Sequence, residues 1–80
     1  MGPLLESYTE QMIDLSTHGL KCRAVRDIRD YQGVVSASAE GTIEYEVENL
    51  GRHLINVQWD NGVRLNVLAS DIEIIRGDHL

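Results

Sequence analysis

The sequence predicts a small, mainly β domain built on an antiparallel sheet, with a helix at its N-terminal end. Three short runs carry the β prediction. Ile43, Tyr45 and Val47 alternate with Thr42, Glu44, Glu46 and Glu48; Ile55, Val57 and Trp59 alternate after Asn49-Leu50-Gly51-Arg52; Val63, Leu65 and Val67 alternate after Asp60-Asn61-Gly62. Period-two alternation sends successive side chains to opposite faces, so each run reads as a half-buried strand. The runs are short and separated by turn residues, which favours antiparallel hairpins over parallel crossovers.

From Leu4 to about Thr17 the period changes. Leu4, Leu5, Tyr8, Met12 and Leu15 fall on one side of a helix, Glu6, Glu10 and Asp14 on the other, and Ile13 lies off the stripe. Pro3 suits a first helical turn, and Gly19 with His18 before it suits a C-terminal stop. A helix over 4–19 is therefore expected after a lead-in over 1–3. Its stripe of Leu5, Tyr8, Met12 and Leu15 needs an apolar partner, either the sheet or a second copy of the chain.

Lys21 to Ile28 is assigned as a strand from position alone. Asp30-Tyr31-Gln32-Gly33 is turn-like and opens a loop reaching Glu40-Gly41, longer than an ordinary hairpin turn and so either partly paired or a presented surface. Gly41 is expected to serve a tight turn through its permissive dihedrals. Asn61-Gly62 is the strongest hairpin signal and predicts a type I′ turn. Leu68 to Asp71 fits one 3₁₀ turn, Ile72 and Ile74 a last strand, and 77–80 a tail.

The 80 residues make one domain with a thin core, drawn here as 20–76. Phe is absent, so Trp59 and the three tyrosines supply the large aromatic surface. Cys22 is the single cysteine, which excludes an internal disulfide and a Cys-x-x-Cys metal or redox pair. No signal peptide or apolar run of spanning length is found, and a reducing cytoplasm is the expected home. The net charge of −6 opposes non-specific nucleic-acid binding, although Lys21, Arg23, Arg26 and Arg29 form a local basic stripe interrupted by Asp27 and Asp30.

Candidate chemistry is sparse. Cys22 sits beside Lys21 and Arg23, which would lower its pKa if it were exposed, but a lone cysteine in a small β domain reads first as a buried small hydrophobe. His18, His53 and His79 lack metal-ligand spacing, and no metal or cofactor is expected. Glu44, Glu46 and Glu48 repel one another on one strand face and read as a solvated outer face.

Lys21-Cys22-Arg23-Ala24-Val25, Glu40-Gly41-Thr42-Ile43, Leu54-Ile55-Asn56-Val57-Gln58-Trp59 and Ser70-Asp71-Ile72-Glu73-Ile74-Ile75 mark five strands, a long loop after the first, and a 3₁₀-like link before the last. That order resembles an SH3-like five-stranded antiparallel barrel over about 21–75, to which the N-terminal helix is an addition. Within the superfold the outline is similar to small accessory barrels of plant and cyanobacterial electron transfer: the ferredoxin–thioredoxin reductase variable chain and the ferredoxin-docking SH3-like subunit of the photosynthetic NDH complex. The resemblance implies a barrel without cofactor that docks or protects a partner. Polyproline-binding SH3 domains fit less well, because Tyr31, Tyr45 and Trp59 are few and the last two are assigned to the core.

Fold does not carry function across so widespread an architecture. The sequence favours a non-catalytic protein-interaction module, with Arg23, Arg26, Arg29, Tyr31, Glu44, Glu46 and Glu48 as candidate partner contacts. The alternative is an RNA-binding barrel using the Lys21–Arg29 stripe. A further alternative, an oligomeric pore enzyme like the plasmid-encoded dihydrofolate reductase, would place Arg64-Leu65-Asn66-Val67 at that family's pore segment, which it does not match well.

Overall fold

A computed structural model describes residues 11–75. The chain runs β1 (Gln11–Asp14), β2 (Lys21–Ala24), β3 (Ile28–Asp30), β4 (Gly33–Val35), β5 (Glu40–Asn49), β6 (Arg52–Trp59), β7 (Arg64–Val67), a 3₁₀ turn (Ala69–Asp71) and β8 (Ile72–Ile74). All strand pairs are antiparallel, as the hairpin pattern predicts.

The main sheet follows the path β7-β6-β5-β2-β8, and β3 and β4 form a separate hairpin. Its end strands β7 and β8 are not paired, so the sheet does not close into the expected barrel. β5 organises the rest. One of its edges carries β6 throughout, and the other carries β2 along Glu40–Thr42 and β1 along Glu46–Asn49.

The expected helix over 4–19 is not formed where the structure describes it, and Leu5 and Tyr8 lie outside the described residues. Met12 and Ile13 pair with Glu48 and Val47 as strand residues. The next residues then make a turn. Ser16 donates its backbone N–H to Asp14 Oδ1 at 2.8 Å, His18 N–H reaches Leu15 O, and Gly19 takes φ +90°. An Asp that captures a backbone N–H two residues on competes with helix continuation, and Ile13, off the helical stripe, is a β-branched residue suited to a strand, although its side chain is exposed there.

Trp59, Ile43, Leu65, Val57, Val35 and Cys22 are fully buried, with Ala24, Ile55, Val67 and Ile72 around them. Cross-strand pairs explain the set: Ile43 opposes Val57, Val57 opposes Leu65, and Ile55 opposes Val67. The β3–β4 hairpin seats Val35 on this core, opposite half-buried Ile28, so the long loop is partly paired, with Tyr31 and residues 36–38 left exposed. Asn61 Nδ2 donates to Val34 O and ties that hairpin to the β6–β7 turn.

Gly41 does not sit in a turn. It lies within β5 opposite Trp59, and its role is space rather than dihedral freedom. The type I′ turn is also displaced. At Asp60-Asn61-Gly62 only Gly62 is left-handed, and the bonds Gly62 N–H to Trp59 O and Trp59 N–H to Val63 O define a three-residue turn ending in a glycine bulge. Left-handed dihedrals at two successive residues occur instead at the β5–β6 turn, with Leu50 at +53° and Gly51 at +81°. A leucine is a poor residue there, because its Cβ crowds the following carbonyl. Leu50→Asn is expected to raise unfolding stability by about 1 kcal/mol in a urea titration.

Candidate functional site

β5 contains one irregularity that decides what its distal half displays. Ile43 opposes Val57 but Tyr45 opposes Asn56, so Glu44 is an extra residue, a β-bulge. A one-residue slip exchanges the faces of everything beyond it. Tyr45 and Val47 therefore leave the core face and lie with Asn56 and Leu54, whereas Glu46 and Glu48 move to the face that carries Ile55 and His53. The expected core ladder of Ile43, Tyr45 and Val47 holds only for Ile43, and the expected outer ladder of Glu44, Glu46 and Glu48 is broken at its first member. Tyr45 and Val47 are only half-buried.

The turn after β1 fits this bulge. Gly19 N–H donates to Ile43 O, and Ile43 N–H donates to Leu20 O. His18 Nδ1 lies 2.8 Å from Glu44 O, and Thr17 Oγ1 donates to Glu46 Oε2 at 2.5 Å. β1 and β2 thus follow the same edge of β5 and are interrupted where β5 is.

Beyond the bulge, β1, β5 and β6 form a three-stranded arm. At its centre His53 bridges two carboxylates: Nε2 lies 2.6 Å from Glu46 Oε1, and Nδ1 lies 3.1 Å from Glu48 Oε1. Hydrogen bonds that His53 donates to Glu46 and then to Glu48 raise its pKa above the ordinary value. Both ring nitrogens are donors only in the imidazolium, so the geometry suits the charged form. With both nitrogens held, the ring has no free nitrogen with which to act as a base. Nearby, the backbone N–H and hydroxyl of Ser16 hold Asp14 below the usual carboxylate range.

These groups flank a pocket of about 440 Å³ lined by Met12, Ile13, Asp14, Leu15, Glu46, Val47, Glu48 and His53. Met12, Ile13 and Leu15 are each about two-thirds exposed, which is unusual for three large apolar side chains within four residues. Among the described residues no strand pairs with the other edge of β1. Met12 and Leu15 were expected to share a helical seam. They instead belong to an exposed strand and the turn after it.

A pH prediction follows from the bridge. Because the folded pKa of His53 lies above the unfolded value of about 6.5, its contribution to stability is complete below that value and is lost as pH rises through the folded pKa. Asp14 acts with the opposite sign, contributing above the unfolded carboxylate pKa and losing effect as pH falls through its folded value. Urea midpoints should therefore fall on the alkaline side of His53, and His53→Gln should flatten that limb while leaving the acid limb in place.

The other candidate residues disperse over the surface. Arg23 pairs with Glu73 at 2.8 Å and Glu40 at 3.7 Å, and Arg26 pairs with Asp71 at 3.4 Å and donates to Ser70 O. Arg29 and Tyr31 are exposed on and after β3, with Tyr31 88% exposed. Two of the four cations of the basic stripe, Arg23 and Arg26, are thus paired with neighbouring carboxylates. Cys22 is fully buried, and burial pushes its thiol up to about 11, so it is no thiolate nucleophile near neutral pH.

No family model matches this chain, and no curated protein or solved structure matches it either. Among the described residues no group of three or more His, Cys, Asp or Glu side chains is placed to hold a metal ion, and no helix is long and apolar enough to cross a membrane.

Proposed function

We propose that this protein is a non-catalytic interaction module that docks a partner protein on the β1–β5–β6 arm. One observation carries the reading: Met12, Ile13 and Leu15 lie exposed beside a pocket, on and just after a strand whose second edge has no partner strand among the described residues. An unpaired strand edge offers N–H and C=O groups for pairing, and proteins usually blunt it with charge, proline or cover. Here the edge strand carries Met12 and Ile13, which suits it to β-strand addition.

The chain order from β2 to β8 supports an SH3-like frame beneath the arm: a strand, a long hairpin excursion, three strands joined by tight turns, then a 3₁₀ turn before a final short strand. The frame is open rather than a closed barrel, and β1 is added to it. The resemblance to accessory barrels of electron transfer makes a docking subunit of a redox complex the narrower version. Inert Cys22 fits a protein whose part is contact rather than electron carriage. RNA binding is the weaker reading, because Arg23 and Arg26 are engaged by carboxylates and would have to be released to reach phosphates.

The test is affinity purification from the native cell with wild type, Ile13→Glu and Leu15→Glu side by side, after circular dichroism has shown all three folded. A partner that wild type captures should be reduced at least about tenfold by either variant, as expected when an apolar anchor is lost from an interface. Equal capture by all three proteins would overturn the assignment to this arm.

A further inference from the structure

We propose that the arm receives an extended basic segment of its partner, laid as an added strand along the edge of β1 that no described strand pairs, with one lysine or arginine reaching across β1 to compete with His53 for Glu46 and Glu48. The inference rests on the docking function above and specifies the chemistry of what docks.

The pocket is apolar and acidic together. Met12 lies beside Asp14, Glu46 and Glu48 on the face that carries His53, whereas Ile13 and Val47, paired with one another, present apolar side chains to the opposite face. A strand alternating apolar and cationic side chains would match both features, because successive side chains reach opposite faces. Glu46 and Glu48 already hold a two-handed cationic donor at 2.6 and 3.1 Å. A lysine ammonium or arginine guanidinium offers the same donors with a permanent charge. Glu48 and His53 are about half exposed, and Glu46, at 14%, is the more sheltered of the two carboxylates, so an incoming cation meets Glu48 first.

A second copy is the poorer occupant. Pairing two β1 edges would bring two sets of Asp14, Glu46 and Glu48 toward one another in a chain of net charge −6, and like charges across an interface oppose association. His53 then acts as an internal competitor. The groups around it are Asp14 from β1, Glu46 and Glu48 from β5, and Thr17 from the connecting turn, and the imidazole is the cation that a change of pH near neutrality discharges. Removing its charge frees the carboxylate pair for the incoming cation.

The measurement is an amide-resolved NMR titration of the full chain with a synthetic peptide alternating lysine and valine, and in parallel with its glutamate–valine counterpart. The basic peptide should shift residues 12–14, 46–48 and 53 saturably, and bind about tenfold more tightly at about pH 8.5 than at about pH 5.5. Glu48→Gln, at an exposed position, and Glu46→Gln should each weaken binding by about tenfold. His53→Gln should remove the pH dependence and retain the affinity.

Equal binding of the acidic peptide, shifts confined to other strands, or unchanged affinity in Glu48→Gln would overturn the proposal. So would a groove already filled by a second copy, seen as concentration-dependent sedimentation, or by residues 1–10, seen as nuclear Overhauser contacts to Val47. If the native partner is lost on Ile13→Glu while the basic peptide fails to bind, the docking function stands and this inference alone falls. If capture is insensitive to Ile13 and Leu15, the docking site itself falls.

Discussion

Trp59→Ala is expected to cost about 3–5 kcal/mol, the range for removing a large buried aromatic from a packed core. The indole is 1% exposed, opposes Gly41 across the β5–β6 ladder, and is the largest fully buried side chain. A domain of this length has a total stability on the order of 4–12 kcal/mol, so the alanine variant should be partly or wholly unfolded without ligand. Urea denaturation followed by circular dichroism reads the loss directly. Trp59→Phe is the informative control. It keeps most of the ring and removes an indole N–H that is buried without a hydrogen-bond partner, so it should cost clearly less than alanine. A loss under about 1 kcal/mol in the alanine variant would show that the indole does not anchor the core.

Gly41→Ala should be nearly as damaging, at about 3 kcal/mol, although it adds a single methyl group. That methyl would lie 2.7 Å from Val57 Cγ1, 2.9 Å from Gln58 O and 2.9 Å from Trp59 Cε3. Val57 could change rotamer, but the Gln58 carbonyl belongs to the strand paired with β5 and cannot retreat without opening the ladder. The cost is one of volume, so Gly41→Ser should resemble Gly41→Ala. Gly51→Ala, at the β5–β6 turn, meets no atom within 4 Å and should pay only for its left-handed backbone. Matching losses at positions 41 and 51 would argue against close packing at Gly41.

The sequence made the β6 and β7 core positions legible because alternation there is uninterrupted: Ile55, Val57, Trp59, Leu65 and Val67 are all buried. The 3₁₀ turn and last strand were equally readable from Leu68 onward. The N-terminal helix was misread because Leu4, Leu5, Tyr8, Met12 and Leu15 fit a 3.6-residue period, while the local signal at Asp14-Leu15-Ser16, a side chain bonding its own backbone, was the stronger one.

The bulge at Glu44 left no mark in the alternation, since Ile43, Tyr45 and Val47 keep their spacing whether or not the pairing slips. Pairing is a tertiary property, and only Asn56 hinted at it: a polar residue between core positions, buried and donating from Nδ2 to Asn66 Oδ1. Half of the carboxylate–imidazole bridge could have been found by counting. Leu50-Gly51 as a two-residue turn places Asn49 opposite Arg52 and therefore Glu48 opposite His53. The exposed apolar stretch of β1 could not have been found so, because its exposure depends on which strand β5 accepts on that edge.

The supernumerary Glu44 also makes the pairing of β5 tolerant of losing one residue. Loss of that one codon would make Ile43 and Tyr45 consecutive in a regular ladder, leaving Tyr45 opposite Asn56, Glu46 opposite Ile55 and Glu48 opposite His53. The proximal half, where Gly41 and Ile43 meet Trp59 and Val57, would keep its partners. Register is thereby insulated from that indel, whose local effects would be a less twisted strand and the loss of the Glu44 carbonyl that His18 contacts.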